Sequence, residues 1–190
     1  MSKKILEPST RLFPIPAALV SCVGSDGVPN IITIAWTGVV CSEPPMISVS
    51  IRPKARHSYP IVKSSNEFVL NIPSASQVRT VDWCGTVSGS RVRKFDEAGL
   101  TPAVASVVRA PLIAECPVNI ECEVRHRLAL GTHDCFIGEV VAVHADDAVL
   151  DADGRISVGA VEPLAFCDGD YWSIGSRVGV YGFSRGKLTD

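Results

Sequence analysis

A mainly β fold, a barrel of short strands carrying a few helices on one side, is predicted by three observations. Short apolar or alternating runs recur along the chain, separated by turn residues. Helical signals are few and grouped between residues 58 and 99. The regular strand–helix alternation of a doubly wound sheet is missing. A length of 190 residues suits one domain with a real core, and no repeat, low-complexity tract or linker divides it.

Taken in order, residues 17–23 (AALVSCV) form a first apolar strand, and Gly24 to Pro29 carry every local turn signal. Residues 30–36 return as a second strand, which makes the first pair an antiparallel hairpin. Residues 37–45 read as a small-residue crossing that ends at a Pro44-Pro45 corner. Residues 46–52 alternate cleanly, with Ile47, Val49 and Ile51 on one face and Ser48, Ser50 and Arg52 on the other. One face of that strand is core; the other is polar but small, suited to lie under a ligand.

A short helix follows over residues 59–64, with Ser58 as its cap and Pro60 tolerated in the first turn. Residues 67–72 (EFVLNI) are strand again. Ser74 and Ser76 are cap candidates for a helix through Val81 to about Gly85, and a second helix spans 90–98 with Gly99 as its stop. Between them, residues 86–90 form a polar loop. From Ala110 the chain is nearly all strand. Ile120, Cys122, Val124, His126 and Leu128 alternate with Glu121, Glu123, Arg125 and Arg127, which predicts a long half-buried strand with its charges outward. Residues 136–144 alternate again, Asp151 to Gly154 turn, and residues 164–167 give a shorter apolar segment. The end of the pattern, Tyr171 to Gly175, is aromatic and then glycine-containing.

Composition narrows the function. Hydrophobic residues make up 46% of the chain and mean hydropathy is +0.25. No apolar run approaches the roughly 20 residues of a bilayer span, so the excess is expected in a subunit interface rather than a membrane. A net charge of −2 with mixed signs argues against a nucleic-acid surface. The first residues are not a signal peptide, since Glu7, Arg11 and three prolines break the apolar part. The 7 cysteines are odd in number, irregularly spaced and without a Cys-x-x-Cys pair. They fit free apolar thiols in a reducing cytoplasm better than disulfides, zinc or an iron–sulfur cluster.

One stretch carries chemistry. Arg52, Lys54 and Arg56 crowd the turn that ends at His57-Ser58, where a helix begins. A helix N-terminus already bears about half a positive charge, so cations there are unfavourable unless an anion sits among them. Alone, the three charges also fit a solvated basic loop. Likewise Trp36 reads as strand core or as a ligand contact, and His57 as a phosphate donor or a surface residue. His126, His133 and His144 are expected on sheet faces or turns. Cys84 as a redox thiol has nothing nearby in sequence to lower its pKa.

Several pieces then become recognisable by order and spacing: residues 33–38 (TIAWTG), Ser42-Glu43-Pro44-Pro45, residues 50–59, residues 68–73 (FVLNIP), Ser88-Gly89 followed by Lys94-Phe95, and residues 171–175 (YWSIG). Together they resemble the flavin reductase-like family of FMN-binding split-barrel proteins, and most closely its flavoredoxin-type branch. The resemblance spans nearly the whole chain. It implies a six-stranded Greek-key split barrel, a homodimer, and FMN near the subunit interface. It further implies that Thr33, Ala35, Trp36, Thr37 and Gly38 face the isoalloxazine ring. Ser50, Ile51, Arg52, Arg56, His57 and Ser58 would hold ribityl and phosphate, and Ser88, Gly89 and Lys94 would reach the cofactor from outside.

Small residues at Ala35, Thr37 and Gly38 permit close backbone approach to such a ring. The chemistry would be the cofactor's own, so no catalytic triad is sought. The implied activity is NAD(P)H-dependent flavin reduction with electrons passed to a small-molecule or protein acceptor. The alternative is a flavoredoxin-like carrier that takes electrons from a redox protein. A small-barrel module for single-stranded nucleic acid is the alternative from another class, and the clustered aromatics it would need are missing. Two departures stand out: Arg93 where the family often has an acid, which makes residues 91–94 unusually basic, and Trp36-Thr37 where dedicated reductases read Asn and Ser. The latter favours a tightly held flavin.

Overall fold

The structure, a computed structural model, describes residues 1–185. Its strands and helices run β1 (Ile15–Pro16), β2 (Ala18–Val23), β3 (Pro29–Ile34), β4 (Thr37–Ser42), β5 (Pro45–Ile51), α1 (Ser58–Ser65), β6 (Glu67–Ile72), α2 (Val78–Thr86) and α3 (Lys94–Ala98). There follow β7 (Pro102–Ala103), β8 (Leu112–Ile113), β9 (Val118–Ala129), β10 (Asp134–Ala145), α4 (Val158–Val161), β11 (Leu164–Cys167) and β12 (Asp170–Ser173).

Seven strands form one antiparallel sheet in the order β3-β2-β6-β9-β10-β5-β4. The sheet curls because β3 and β4, its two edge strands, are joined by Ala35 and Trp36 alone; the backbone N–H of Ser50 on β5 donates to Trp36 O at 2.9 Å, extending the β4–β5 hairpin by one rung. β3 and β5 have no ladder between them, so the barrel stays split. Curling needs close approach in the middle. There β10 is irregular at Ile137/Gly138, and a Cβ on Gly138 would lie 2.9 Å from both Cys122 and Phe68.

The barrel interior is apolar: Val20, Ile32, Val49, Phe68, Cys122 and Phe136 are buried there. α1 adds Val62 to this cluster. The opposite faces of β2 and β3 are buried as well. Leu19 and Ile31 meet Val81 and Cys84 of α2 and Phe95 of α3 in a second cluster. Burial on both faces explains why residues 18–23 and 31–34 are apolar runs without alternation. The predicted helices on one side are therefore α2 and α3.

Four expectations change. Residues 37–42 are strand, not a simple crossing, because they pair with β5 as a hairpin edge; this raises the sheet from six strands to seven. Ser58 is not the cap of α1. His57 already has helical angles (φ −58, ψ −33), and the Ser58 hydroxyl is turned inward, accepting from Asn30 Nδ2 at 2.7 Å. The second helix begins at Lys94 rather than Ser90 and stops at Gly99 as expected, with φ +63. Finally, Glu121 is fully buried, whereas His126 and Leu128 are exposed where β9 runs past the barrel.

Glu121 faces loop 106–108 rather than solvent. Its carboxylate accepts backbone N–H groups of Ser106 (2.7 Å), Val107 (2.7 Å) and Val108 (2.9 Å), and His144 Nε2 lies 2.6 Å away. Burial alone would raise its pKa, but the bonds from Val108, Ser106, His144 and Val107 outweigh it and hold the carboxyl below its ordinary value. Asn71 is buried in the same way. Its Nδ2 donates to Leu19 O and Ser21 Oγ, and its Oδ1 accepts from Ile113 N and Asn119 Nδ2. These polar groups stitch the outer loops to the sheet.

Candidate functional site

The junction of β3 and β4, the start of α1 and the last turn of α2 converge on one side of the barrel. They enclose a cleft of about 450 Å³. Thr33, Ala35, Trp36 and Ser50 line it, and Arg52 and Arg56 form its cationic end. Arg56, Ile32 and Thr86 also line a smaller pocket of about 110 Å³, which is completed by His57, Ser58, Ser88, Gly89 and Lys94. Across Trp36 lies another cleft, of about 460 Å³, which takes Thr37, Gly38 and Ser48 together with residues 9–12 of the N-terminal arm. Ala35, Trp36 and Ser50 belong to both large clefts.

The expected site residues thus come together, with two qualifications of geometry. Ile51 is 1% exposed and packs its side chain in the barrel core, and it lines none of these three cavities. Lys54 lines a separate hollow with Pro53, Gly131 and Thr132. Strand alternation accounts for the first: Ile51 has the parity of Ile47 and Val49, and Ser48 and Ser50 have the parity of the clefts.

The cations are held in a definite way. Arg56 Nη1 donates to Gly85 O at 2.8 Å. Lys94 is buried at 3% exposure, and its Nζ donates to Cys84 O at 2.6 Å and Ile31 O at 2.8 Å. Both side chains therefore sit on consecutive carbonyls at the end of α2, where the helix dipole is negative. Burial lowers the Lys94 pKa to about 8, with the Arg56 charge acting in the same direction. The ion pairs among the described residues engage Arg11, Arg93, Arg109, Arg125, Arg127 and His144; none engages Arg52, Lys54, Arg56 or Lys94. The first turn of α1 carries no acidic residue either. Positive charge at this end of the cleft is thus left without a carboxylate partner, the situation an anionic ligand would relieve.

Three further residues line the cleft, His133, Asp82 and Tyr171, and of these Tyr171 lies in the aromatic piece at residues 171–175 that the sequence set apart. His133, from the β9–β10 turn, packs its ring on Trp36 with centroids 4.2 Å apart and accepts from Arg52 Nε at 3.3 Å. Burial first, and then Arg52 and Arg56, lower its pKa, so it is biased toward the neutral imidazole. Tyr171 donates to Asp82 Oδ1 at 3.3 Å, and burial followed by Asp82 pushes its pKa up to about 12. Trp36 is 38% exposed and is no core residue. No local pattern marks His133 or Asp82, because each meets the site only through the fold, whereas Tyr171 belongs to the aromatic segment 171–175. Cys84 is buried, and burial pushes its thiol up to about 11, so it is not a thiolate at neutral pH.

A flavin phosphate fits what is present. The small pocket offers two cations without carboxylates, and Thr37 Oγ1, at the start of β4, is buried with no hydrogen-bond partner among the described residues. A buried hydroxyl left unpaired is costly, and a polar ligand atom would satisfy it. A Cβ added to Gly38 would meet nothing within 4 Å, so that position has space on its open side.

Comparison with known proteins agrees. Residues 10–175 match the family model described as flavin reductase like domain. The solved flavoredoxin of Desulfovibrio vulgaris (Miyazaki F) is 37% identical, with a TM-score of 0.91 over 98% of this chain and 100% of that one. A flavoredoxin from Methanosarcina acetivorans is 27% identical, with a TM-score of 0.88 over 97% and 100%. An uncharacterized protein of Pyrococcus abyssi is 35% identical over 137 residues, which is 72% of this chain and 77% of that protein.

Proposed function

The chain belongs to the flavin reductase-like, FMN-binding split-barrel family, and from that premise we propose that it is a single-domain, flavin-dependent oxidoreductase whose cleft holds FMN. The observation that carries the reading is the paired cavity: a broad cleft over a small-residue backbone, continuous through Arg56 with a cationic pocket that has no carboxylate. Thr33, Ala35, Trp36, Thr37 and Gly38 would face the ring, with Thr37 Oγ1 as a hydroxyl contact. Ser50, the Ile51 backbone and Arg52 would face the ribityl chain. Arg56, His57, Ser58, Ser88 and Gly89 would surround the phosphate.

Lys94 has a different part from direct contact alone. Its ammonium is taken up by two carbonyls, so it ties β3 to the end of α2 and supplies positive potential from behind the pocket. When bound, FMN supplies hydride and electron chemistry at its N5 atom. The protein would bind and orient the group, with the stacked Trp36–His133 pair beside Arg52 at the cationic end of the cleft. The proposed donor is NADH or NADPH, and electrons leave to a small-molecule or protein acceptor. The second reading, an electron carrier reduced by a protein partner, is favoured by the 37% identity to a flavoredoxin along 98% of the chain.

Purified protein is expected to be yellow, with absorbance near about 450 nm; a colourless preparation that takes up no FMN would sink both readings. Anaerobic mixing with NADH or NADPH separates them. Bleaching within seconds supports the reductase, whereas bleaching only by a reduced redox protein supports the carrier.

The proposed assembly is a homodimer in the cytoplasm, where the seven free thiols stay reduced. Apolar side chains on both terminal arms and on the β4 edge are exposed, among them Leu12, Phe13, Val39, Val40, Tyr181 and Phe183. A second copy would cover them. Light scattering is expected to give twice the 20.2 kDa of one chain; a monomer at micromolar concentration contradicts the dimer. Among the described residues no helix is long and apolar enough to cross a membrane.

A further inference from the structure

The broad cleft carries charge of both signs. Arg52 and Arg56 form its cationic end, and Asp82 of α2 is the one carboxylate among the described residues that line it. None of the ion pairs among the described residues engages Asp82. Its place on α2 is also unfavourable in itself, because it lies one turn before the helix ends at Thr86, where the dipole is negative. What holds it is Tyr171 of β12, whose hydroxyl donates to Asp82 Oδ1 at 3.3 Å. The Tyr171 ring is fixed in turn by Phe166 of β11, edge to face with centroids 5.3 Å apart, and both aromatic residues line the cleft. A pin between α2 and β12 would need only an acceptor for the Tyr171 hydroxyl, which an amide side chain supplies as well. A full charge at that place asks for another reason.

We propose that Asp82 tunes the reduction potential of the flavin held in this cleft, its charge opposing the charge that the ring gains on reduction. The inference rests on the flavin reading of the cleft. An oxidised flavin ring is neutral; with two electrons from the donor and one proton from water it carries one negative charge. Arg52 and Arg56 favour that charge, and the Asp82 carboxylate disfavours it. With the cations alone, reduced flavin would be held more firmly and would give up its electrons less readily. Asp82 thus makes the bound group a stronger reductant toward the acceptor. Tyr171 is the positioning residue, because its hydrogen bond keeps the carboxylate at the wall of the cleft instead of turned to water. One charge acting across such a partly solvated cleft is worth about fivefold in the ratio of reduced to oxidised flavin, or roughly 20 mV for a two-electron couple.

The test is the midpoint potential of the FMN-loaded protein, measured by spectroelectrochemistry for the wild type, Asp82→Asn, Asp82→Glu and Tyr171→Phe. Asparagine keeps an acceptor for the Tyr171 hydroxyl and removes the charge, so its potential is expected to rise by about that fivefold step. Asp82→Glu keeps the charge and is expected to stay closer to the wild type than to Asp82→Asn. Tyr171→Phe is expected to give a smaller rise of the same sign. In the Asp82→Asn background Tyr171→Phe is expected to add nothing, since it acts through a charge that is already gone.

An unchanged potential in Asp82→Asn overturns the assignment and leaves the flavin reading standing. An equal rise in Asp82→Glu does the same, because contact rather than charge would then matter. If Tyr171→Phe shifts the potential as much in the Asp82→Asn background as in the wild type, Tyr171 acts on the flavin by itself and its positioning part is wrong. If the wild type takes up no FMN, the flavin reading and this assignment fall together.

Discussion

Replacing Arg56 with Ala is expected to lower FMN affinity about thirtyfold, the loss of one charge-assisted contact worth about 2 kcal/mol. The fold should persist, with a melting temperature within about 3 °C of wild type, because the only side-chain hydrogen bond lost among the described residues is the one to Gly85 O. Arg56 is the cation shared by the broad cleft and the small pocket, so its removal opens the cationic end without touching the barrel core. A folded variant with unchanged affinity would return residues 52–56 to a solvated basic loop.

The same site predicts a pH dependence. Lys94 titrates at about 8, and it is the protonated form that attracts a phosphate dianion. Affinity for FMN should therefore be greatest below about pH 8 and fall as the pH rises through that value. Removing Arg56 takes away one of the charges that lower the Lys94 pKa, so the fall should begin at higher pH in the variant. Titration at several pH values reads both effects.

Glu121→Ala is expected to be the most destabilising single change outside the core, costing about 3–4 kcal/mol and roughly 10 °C in melting temperature. Three backbone N–H groups and His144 lose their common acceptor at once. The folded-state pKa of Glu121 is depressed, so its stabilising contribution is present above the unfolded carboxylate pKa of about 4.3 and fades as the pH falls through the lower folded value. The gap in melting temperature between wild type and Glu121→Gln should therefore narrow below about pH 4. Equal melting at neutral pH would mean that the loop is held by Val108, Ala110 and Leu112 against Val69 instead.

Much of this was readable from local pattern. The alternation in residues 46–52 put Ile47, Val49 and Ile51 inside and left Ser48 and Ser50 toward the clefts, as found. Pattern failed where a partner comes from far along the chain. Glu121 has the parity of an outward charge, yet loop 106–108 and His144 fold over it. Ser58 has the composition of a cap, yet Asn30 claims its hydroxyl from 28 residues away. Residues 37–42 hold the strand formers Thr37, Val39 and Val40 but no clean apolar–polar alternation, and pairing with β5 makes them strand.

By itself, then, the chain's order of residues determined the strands, the helix-poor architecture and the clustering of Arg52, Arg56 and His57 at a helix start. Those are short-range facts: side-chain period, turn chemistry and charge spacing act within a few residues. Only the tertiary structure decided that the Lys94 ammonium bonds Ile31 O, 63 positions away, and that His133 stacks on Trp36 beside Arg52. It also decided that Arg91 and Arg93 face a groove continuous with the anion pocket. The physical reason is the sheet order. Antiparallel pairing of β9, β10 and β5 brings the turn at residue 133 to the end of β5, and α2 and α3 packed on the outer face of β3 bring Cys84 and Lys94 to it.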